Sequence, residues 1–119
     1  MKEFLANMFF CSNQIKLWHL QTTSYAAHQA LGELYDFSTD FTDGFAETYM
    51  MSGPKLKAPV ITKKFEDFAD SQQVIKYIDM VDGYVGVLKK ELVGRTDLVN
   101  MLDEFRAKLN KTKYLLTLS

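Results

Sequence analysis

The chain has 119 residues, of which 47% are hydrophobic and 24% are charged, and its net charge is −1 at neutral pH. This length fits one domain with a real core, the composition argues against disorder, and the charge gives no electrostatic reason to expect nucleic acid as a partner. The longest apolar run near the N-terminus covers only residues 8–11, and the single cysteine, Cys11, cannot form an internal disulfide, so we expect one cytoplasmic domain over residues 1–119 without a membrane segment or signal peptide.

The spacing of apolar residues predicts four helices. These residues recur at steps of three and four along most of the chain, as in amphipathic helices, and no long stretch alternates as a strand does. Polar and glycine residues divide the pattern into segments at about residues 2–21, 24–51, 71–93 and 96–117. We therefore predict an all-α, four-helix domain.

Capping residues set the expected helix boundaries. Thr23 or Ser24 can end the first helix and cap the second, and Asp70 or the serine after it can cap the third. Gly94 can supply a left-handed residue that closes the third helix, and Thr96 can cap the fourth. The junctions before the second and fourth helices are short, which predicts antiparallel pairs.

The connection between the second and third helices is different, because it is about nineteen residues long and contains both prolines, Pro54 and Pro59. It is long enough to climb the bundle, which would make these two helices parallel, as in the single-crossover connection of ferritin-like bundles. We favour this ferritin-like crossover over the alternative, a plain up-and-down bundle with one loose loop. The final stretch, "KKFEDFAD", could form a short helix of its own.

An acidic stripe lies on the second helix. Its members recur at steps of three and four and are Glu33, Asp36, Asp40, Asp43 and Glu47. The stripe can be an ordinary solvated face. However, no lysine or arginine occurs between Lys16 and Lys55, so five like charges repel one another unless a helix, a second subunit or a metal ion supplies positive charge opposite them.

The two histidines and two of these acids could form a metal site only under one geometric condition. Asp43 and Glu47 lie one turn apart, so both carboxylates can reach one cation. His28 precedes Asp43 by fifteen residues, or about 22 Å along a helix, so a shared ion requires a second copy with its helix antiparallel across a two-fold axis. A turn at residues 22–24 would bring His19 to the same end as His28. The alternative is two structural histidines held by ordinary hydrogen bonds.

The pattern "LWHL…YAAHQALGELYD…TDGFAE" resembles the mini-ferritins, the DNA-protection-during-starvation family. In that family a histidine near the end of the first helix, often beside a tryptophan, is followed by a histidine early in the second helix and then by a D-x3-E motif. Here Leu34 and Tyr35 follow His28 at the family spacing, and Asp43 and Glu47 fit the motif. The resemblance implies a ferritin-like fold.

The resemblance also implies an iron-oxidising centre between two-fold-related subunits. One subunit would supply two imidazoles and the other two carboxylates, and the four ligands would be His19, His28, Asp43 and Glu47. Three further residues could surround these ligands, namely Trp18, Tyr35 and Asp40. The implied reaction is the oxidation of Fe(II) by peroxide or dioxygen, with ferric product held in a shell of subunits that associate through the second helix.

The sequence also departs from the family pattern. The stretch between the histidines is three residues shorter, and Gly32 stands where the family commonly has a further acid. The lysine-rich tail with which some members bind DNA is missing, so we do not expect DNA binding. Two alternatives stay open: a ferritin-like bundle that serves as a structural or protein-interaction module without metal, and a protein that binds divalent metal without oxidising it.

Overall fold

A computed structural model describes all 119 residues and contains four α-helices and no strands. The helices are α1 (Lys2–Gln21), α2 (Tyr25–Met50), α3 (Ser71–Glu91) and α4 (Thr96–Thr117). The molecule measures 43 × 27 × 20 Å, and its long axis matches the length of α2, whose 26 residues span about 39 Å. The predicted all-α class is confirmed.

Helices α1 and α2 pack directly against each other in opposite directions. Near the start of α1, the Phe4 ring lies 5.2 Å from the ring of Phe45, late in α2. Midway along both helices, the hydroxyls of Ser12 and Ser38 hydrogen-bond at 3.0 Å in a buried position. Residue numbers that rise along α1 are thus matched by numbers that fall along α2, as the short junction predicts.

Helices α3 and α4 form the second antiparallel pair. Three ion pairs join them, and these are Asp79–Lys113, Asp82–Arg106 and Lys89–Asp103. The hydrogen bond that Arg106 donates to the Asp82 carboxylate raises the pKa of Arg106 above its ordinary value. Helix α4 also packs antiparallel to α2, with the Phe41 ring stacked on that of Phe105 at 4.5 Å. Helix α2 therefore lies between α1 and α4.

The connection, residues 54–70, runs alongside α1 in the direction of α1. The ammonium of Lys63 donates to Asn7 near the start of that helix, and the backbone N–H of Phe68 donates to Gln21 at its end. The expected short helix in "KKFEDFAD" is wrong, because residues 54–70 contain no helix. The backbone groups of Glu66 and Phe68 pair with side chains of α1, and no backbone hydrogen bond joins two residues of the connection.

The helix caps agree with the sequence at two boundaries and differ at two. Ser24 accepts a hydrogen bond from the Ala27 N–H, and Asp70 caps α3 through the Gln73 N–H at 2.8 Å. Gly94 is not left-handed, since no residue has a positive φ. Thr96 lies inside α4 and Arg95 is its N-cap, because a tight turn from the Arg95 N–H to the Leu92 carbonyl closes the junction.

All four helices contribute to one hydrophobic core of 20 buried residues. Its largest fully buried side chains include Trp18, Phe45 and Phe105. No buried side-chain nitrogen or oxygen lacks a hydrogen-bond partner. None of the four helices combines the length and the continuous apolar character that are needed to cross a bilayer.

Candidate metal-binding face

The turn at residues 22–24 folds α2 back onto α1 and brings His19 and His28 to the same end of the bundle. The two imidazole rings stack on each other, with their centroids 3.8 Å apart and their planes 16° apart. Both side chains are half-buried. The two rings therefore touch each other across the turn.

A reciprocal pair of hydrogen bonds orients the two rings. Nδ1 of His19 donates to the His28 carbonyl at 2.7 Å, and Nδ1 of His28 donates to the His19 carbonyl at 2.8 Å. A carbonyl oxygen can only accept, so both Nδ1 atoms carry the proton. When a ring is uncharged, its Nε2 atom carries the lone pair, as in histidines that bind metals.

Gly32 provides the space for the His19 ring. It lies one turn after His28 on α2, and a Cβ atom built on it would lie 2.9 Å from Cε1 and 3.0 Å from Nδ1 of His19. Any larger residue would therefore push the imidazole out of its present position. The absence of a side chain at position 32 therefore allows the close approach of the His19 ring.

The acidic stripe is exposed along its whole length. Glu33 lies 3.5 Å from the ammonium of Lys108 on α4, so one acid has a positive partner from another helix. The other four make no ion pair within the chain. Four of the five carboxylates on the stripe are thus exposed on this side of α2 without a positive partner in the chain.

A groove of about 590 Å³ runs between α1 and α2 on this side of the molecule. Tyr35, Thr39 and Asp43 line it from α2, while Phe9 and Ser12 are among the residues that line it from α1. The Phe9 side chain is 48% exposed. On α2, Asp43 is about 60° around the helix from His28, so the histidine end and the acidic end belong to one face. We refer to the surface that carries His19, His28, Tyr35 and Asp43 as the α1–α2 face.

The three residues expected around the ligands take different positions. Trp18 is buried on another side of α1, where its indole N–H donates to the Glu66 carbonyl at 2.9 Å and its ring meets Tyr77 edge-on. Tyr35 lines the groove, and the Lys16 ammonium lies 4.6 Å above its ring. Asp40 is exposed on α2.

One copy of the chain does not gather the four proposed ligands. No three histidine, cysteine, aspartate or glutamate side chains are placed to share a metal ion. This agrees with the separation of about 22 Å between His28 and Asp43 along α2. The condition stated by the sequence therefore stands: the four residues can form one site only if a second copy contributes half of it.

Two features of this face were not anticipated from the sequence. They are the close packing of the His19 ring on Gly32 and the position of Lys16 above Tyr35. Lys16 lies three residues before His19, so both are on the same side of α1, and this spacing could have placed the lysine on the face. No pattern in the sequence could have matched Gly32 with His19, because the match depends on how α1 and α2 are rotated against each other.

The fold and this face define an all-α bundle with a paired-histidine end and an acidic helix. The chain belongs to DUF5856, a family of unknown function, whose model matches residues 19–116. No curated protein and no solved structure matches the chain significantly.

Proposed function

We propose that this protein binds iron at a site shared by two copies of the chain and oxidises Fe(II) with peroxide or dioxygen, in the manner of a mini-ferritin. Each site would combine His19 and His28 of one copy with Asp43 and Glu47 of the other. Imidazole nitrogen suits Fe(II), and carboxylate oxygen also suits Fe(III), so the mixed set can accommodate both oxidation states.

The observation that carries this proposal is the orientation of the two histidines. Both Nδ1 atoms are held by backbone carbonyls, so in the uncharged rings Nε2 is the nitrogen that can bind a metal. Such an outer hydrogen bond is the usual partner of a metal-bound histidine and raises its strength as a ligand. His19 and His28 would bind iron through Nε2, while Asp43 and Glu47 would supply oxygens and negative charge.

A two-fold pairing of α1–α2 faces would supply the missing half of the site. In an antiparallel pair of α2 helices, His28 of one copy meets Asp43 of the other when the axis passes near residues 35 and 36, which is midway between them. Tyr35 lies at this midpoint, and the groove of about 590 Å³ extends from Tyr35 toward Met50. Exposed Phe9 gives the face apolar surface to bury on association.

The ferritin-like connectivity is part of the same proposal. Helices α2 and α3 each run antiparallel to α4, so they point in the same direction. The connection climbs along α1 from Asn7 to Gln21. Both features support a single-crossover bundle over a plain up-and-down one.

The rival proposal is a bundle that acts as a structural or protein-interaction module without metal. The same histidine pair favours it in one respect, because the reciprocal hydrogen bonds join the end of α1 to the start of α2 and could serve only to hold the turn. The two proposals predict different results when metal is added. A third outcome, iron binding without oxidation, would indicate a metal-binding protein that is not an oxidase.

The test is the addition of Fe(II) to the protein under anaerobic conditions, followed by air or peroxide, with ferric absorbance recorded over time. Wild-type protein should oxidise a few equivalents of Fe(II) faster than the same amount of Fe(II) is oxidised in buffer alone. A His28→Ala/Asp43→Ala variant should oxidise iron at the buffer rate, since it removes a ligand from each half of every site. Mass in solution should show a dimer or a larger assembly.

The matched control is Gln29→Ala/Glu104→Gln, which changes an exposed neighbour of His28 and an exposed acid of α4. It should oxidise iron like the wild type. Equal rates for wild type, ligand variant and buffer would exclude the oxidase. Saturable anaerobic binding that the ligand variant loses, without oxidation, would leave a metal-binding protein, and the absence of both would favour the structural module.

A further inference from the structure

A second cavity lies on the opposite side of α1 from the groove, between α1 and α3. Its volume is about 150 Å³. Of the buried residues of α3, only Val81 lines it. Aromatic side chains hold the two helices apart at this level, with Tyr77 against Trp18 and Tyr84 against Phe4.

The floor of this cavity is apolar and its rim is polar. Met8 and Val81 are buried at the bottom, beside the Cys11 thiol. Burial raises the pKa of Cys11 to about 11 and also raises the pKa of Tyr77, so both groups are neutral near pH 7. No acidic residue lines the cavity.

The only charged group at the cavity is Lys63, which reaches the rim from the connection. Its ammonium donates to the amide oxygen of Asn7 at 2.7 Å and makes no ion pair. Asn7 in turn donates to the Tyr84 hydroxyl, so a chain of hydrogen bonds holds the rim in place. An anion entering here would find one positive charge within the cavity and no opposing carboxylate.

The size and lining select a class of ligand. An apolar cavity of about 150 Å³ is known to hold a benzene ring, and an ammonium at its rim favours a carboxylate attached to that ring. We propose that the cavity between α1 and α3 binds a small aromatic carboxylate, with the ring on the floor of Met8 and Val81 and the carboxylate on Lys63. This site does not depend on metal or on a second copy of the chain.

The test is a titration of metal-free protein with benzoate, followed by amide chemical shifts in a two-dimensional NMR spectrum. Shifts should saturate and should map to α1 and α3 around Met8 and Val81. Lys63→Gln should weaken benzoate binding by about tenfold, because a charge-assisted hydrogen bond is lost. Benzamide, which has the same shape without the charge, should bind the wild type more weakly by a similar factor.

Lys64→Gln is the matched control, because Lys64 is the neighbouring lysine and does not line this cavity. It should change benzoate affinity by less than about twofold. Val81→Phe should abolish binding by placing a ring in the cavity; if that variant fails to fold, the two lysine variants still decide. Non-saturating shifts, shifts on the α1–α2 face, or equal affinity for Lys63→Gln and wild type would overturn the proposal.

Discussion

The two sides of α1 are closed in different ways. Toward α2 the helices touch directly, through the stacked rings of the two histidines at one end and through Phe4 against Phe45 at the other. Toward α3 the connection helps to fill the gap, and buried Gln14 holds it through two hydrogen bonds to the backbone of Glu66, at 3.0 and 2.9 Å. The α2 side is thus closed by contacts between the two helices and carries an outer groove of about 590 Å³. The α3 side needs the connection to close it and keeps a cavity of about 150 Å³.

The bridged side should lose the most stability when its central aromatic residue is removed. Trp18→Ala deletes a side chain that is 1% exposed and with it the hydrogen bond to Glu66. We expect the free energy of unfolding to fall by about 3–5 kcal/mol, measured by urea denaturation. Leu20→Ala, two residues later but 64% exposed, should change it by less than about 0.5 kcal/mol. Similar losses in both variants would show that Trp18 does not anchor this side.

The bridged side should also weaken at alkaline pH. Folding raises the pKa of the Cys11 thiol from 9.0 to about 11 through burial, so the folded state holds this proton more tightly than the unfolded state does. The resulting stability is fully present below pH 9 and is lost between pH 9 and about 11. The loss from this group should be about 2–3 kcal/mol.

Denaturation of wild type and Cys11→Ala at several pH values between 8 and 11 measures this effect. The variant should show a flatter decline, although Tyr77, whose pKa is also raised by burial, still contributes above pH 10. Parallel declines in the two proteins would mean that the thiol does not titrate in this range.

The direct contact on the α1–α2 side can be tested by adding one methyl group. Gly32→Ala forces the His19 ring to move, and we expect a loss of about 1–2 kcal/mol, together with changed chemical shifts for both imidazoles. Gly83→Ala is the matched control, because nothing lies within 4 Å of the added Cβ. It should raise stability by about 0.5–1 kcal/mol through higher helix propensity. If Gly32→Ala is more stable than the wild type and its imidazole chemical shifts are unchanged, the close contact between position 32 and the His19 ring is wrong.

The smallest effect is expected for the charge above the groove. Lys16→Met removes the ammonium 4.6 Å from the Tyr35 ring and keeps most of the aliphatic chain. We expect a loss of about 0.5 kcal/mol, compared by thermal unfolding with Lys111→Met, which changes an exposed lysine of α4. If both variants unfold at the same temperature, the ammonium adds nothing to this face.

The candidate site could be predicted in part. The spacing of the histidines around residues 22–24 placed them at one end, and the fifteen residues between His28 and Asp43 ruled out a site within one chain. The sequence could not show that Gly32 seats His19, nor that Lys108 lies opposite Glu33. It also gave no indication that Cys11 and Tyr77 would line the same cavity. Each of these pairs joins residues on different helices.

By itself the sequence determined the four helices, the caps at Ser24 and Asp70 and the antiparallel pairing across short junctions. These features depend on periodicity and on hydrogen bonds between residues a few positions apart. The path of the connection along α1, the missing helix before Asp70 and the form of the junction at Gly94 were decided by the tertiary structure. There, backbone groups found partners on another helix or in a tighter turn, and the rotation of one helix against its neighbour selected which side chains meet.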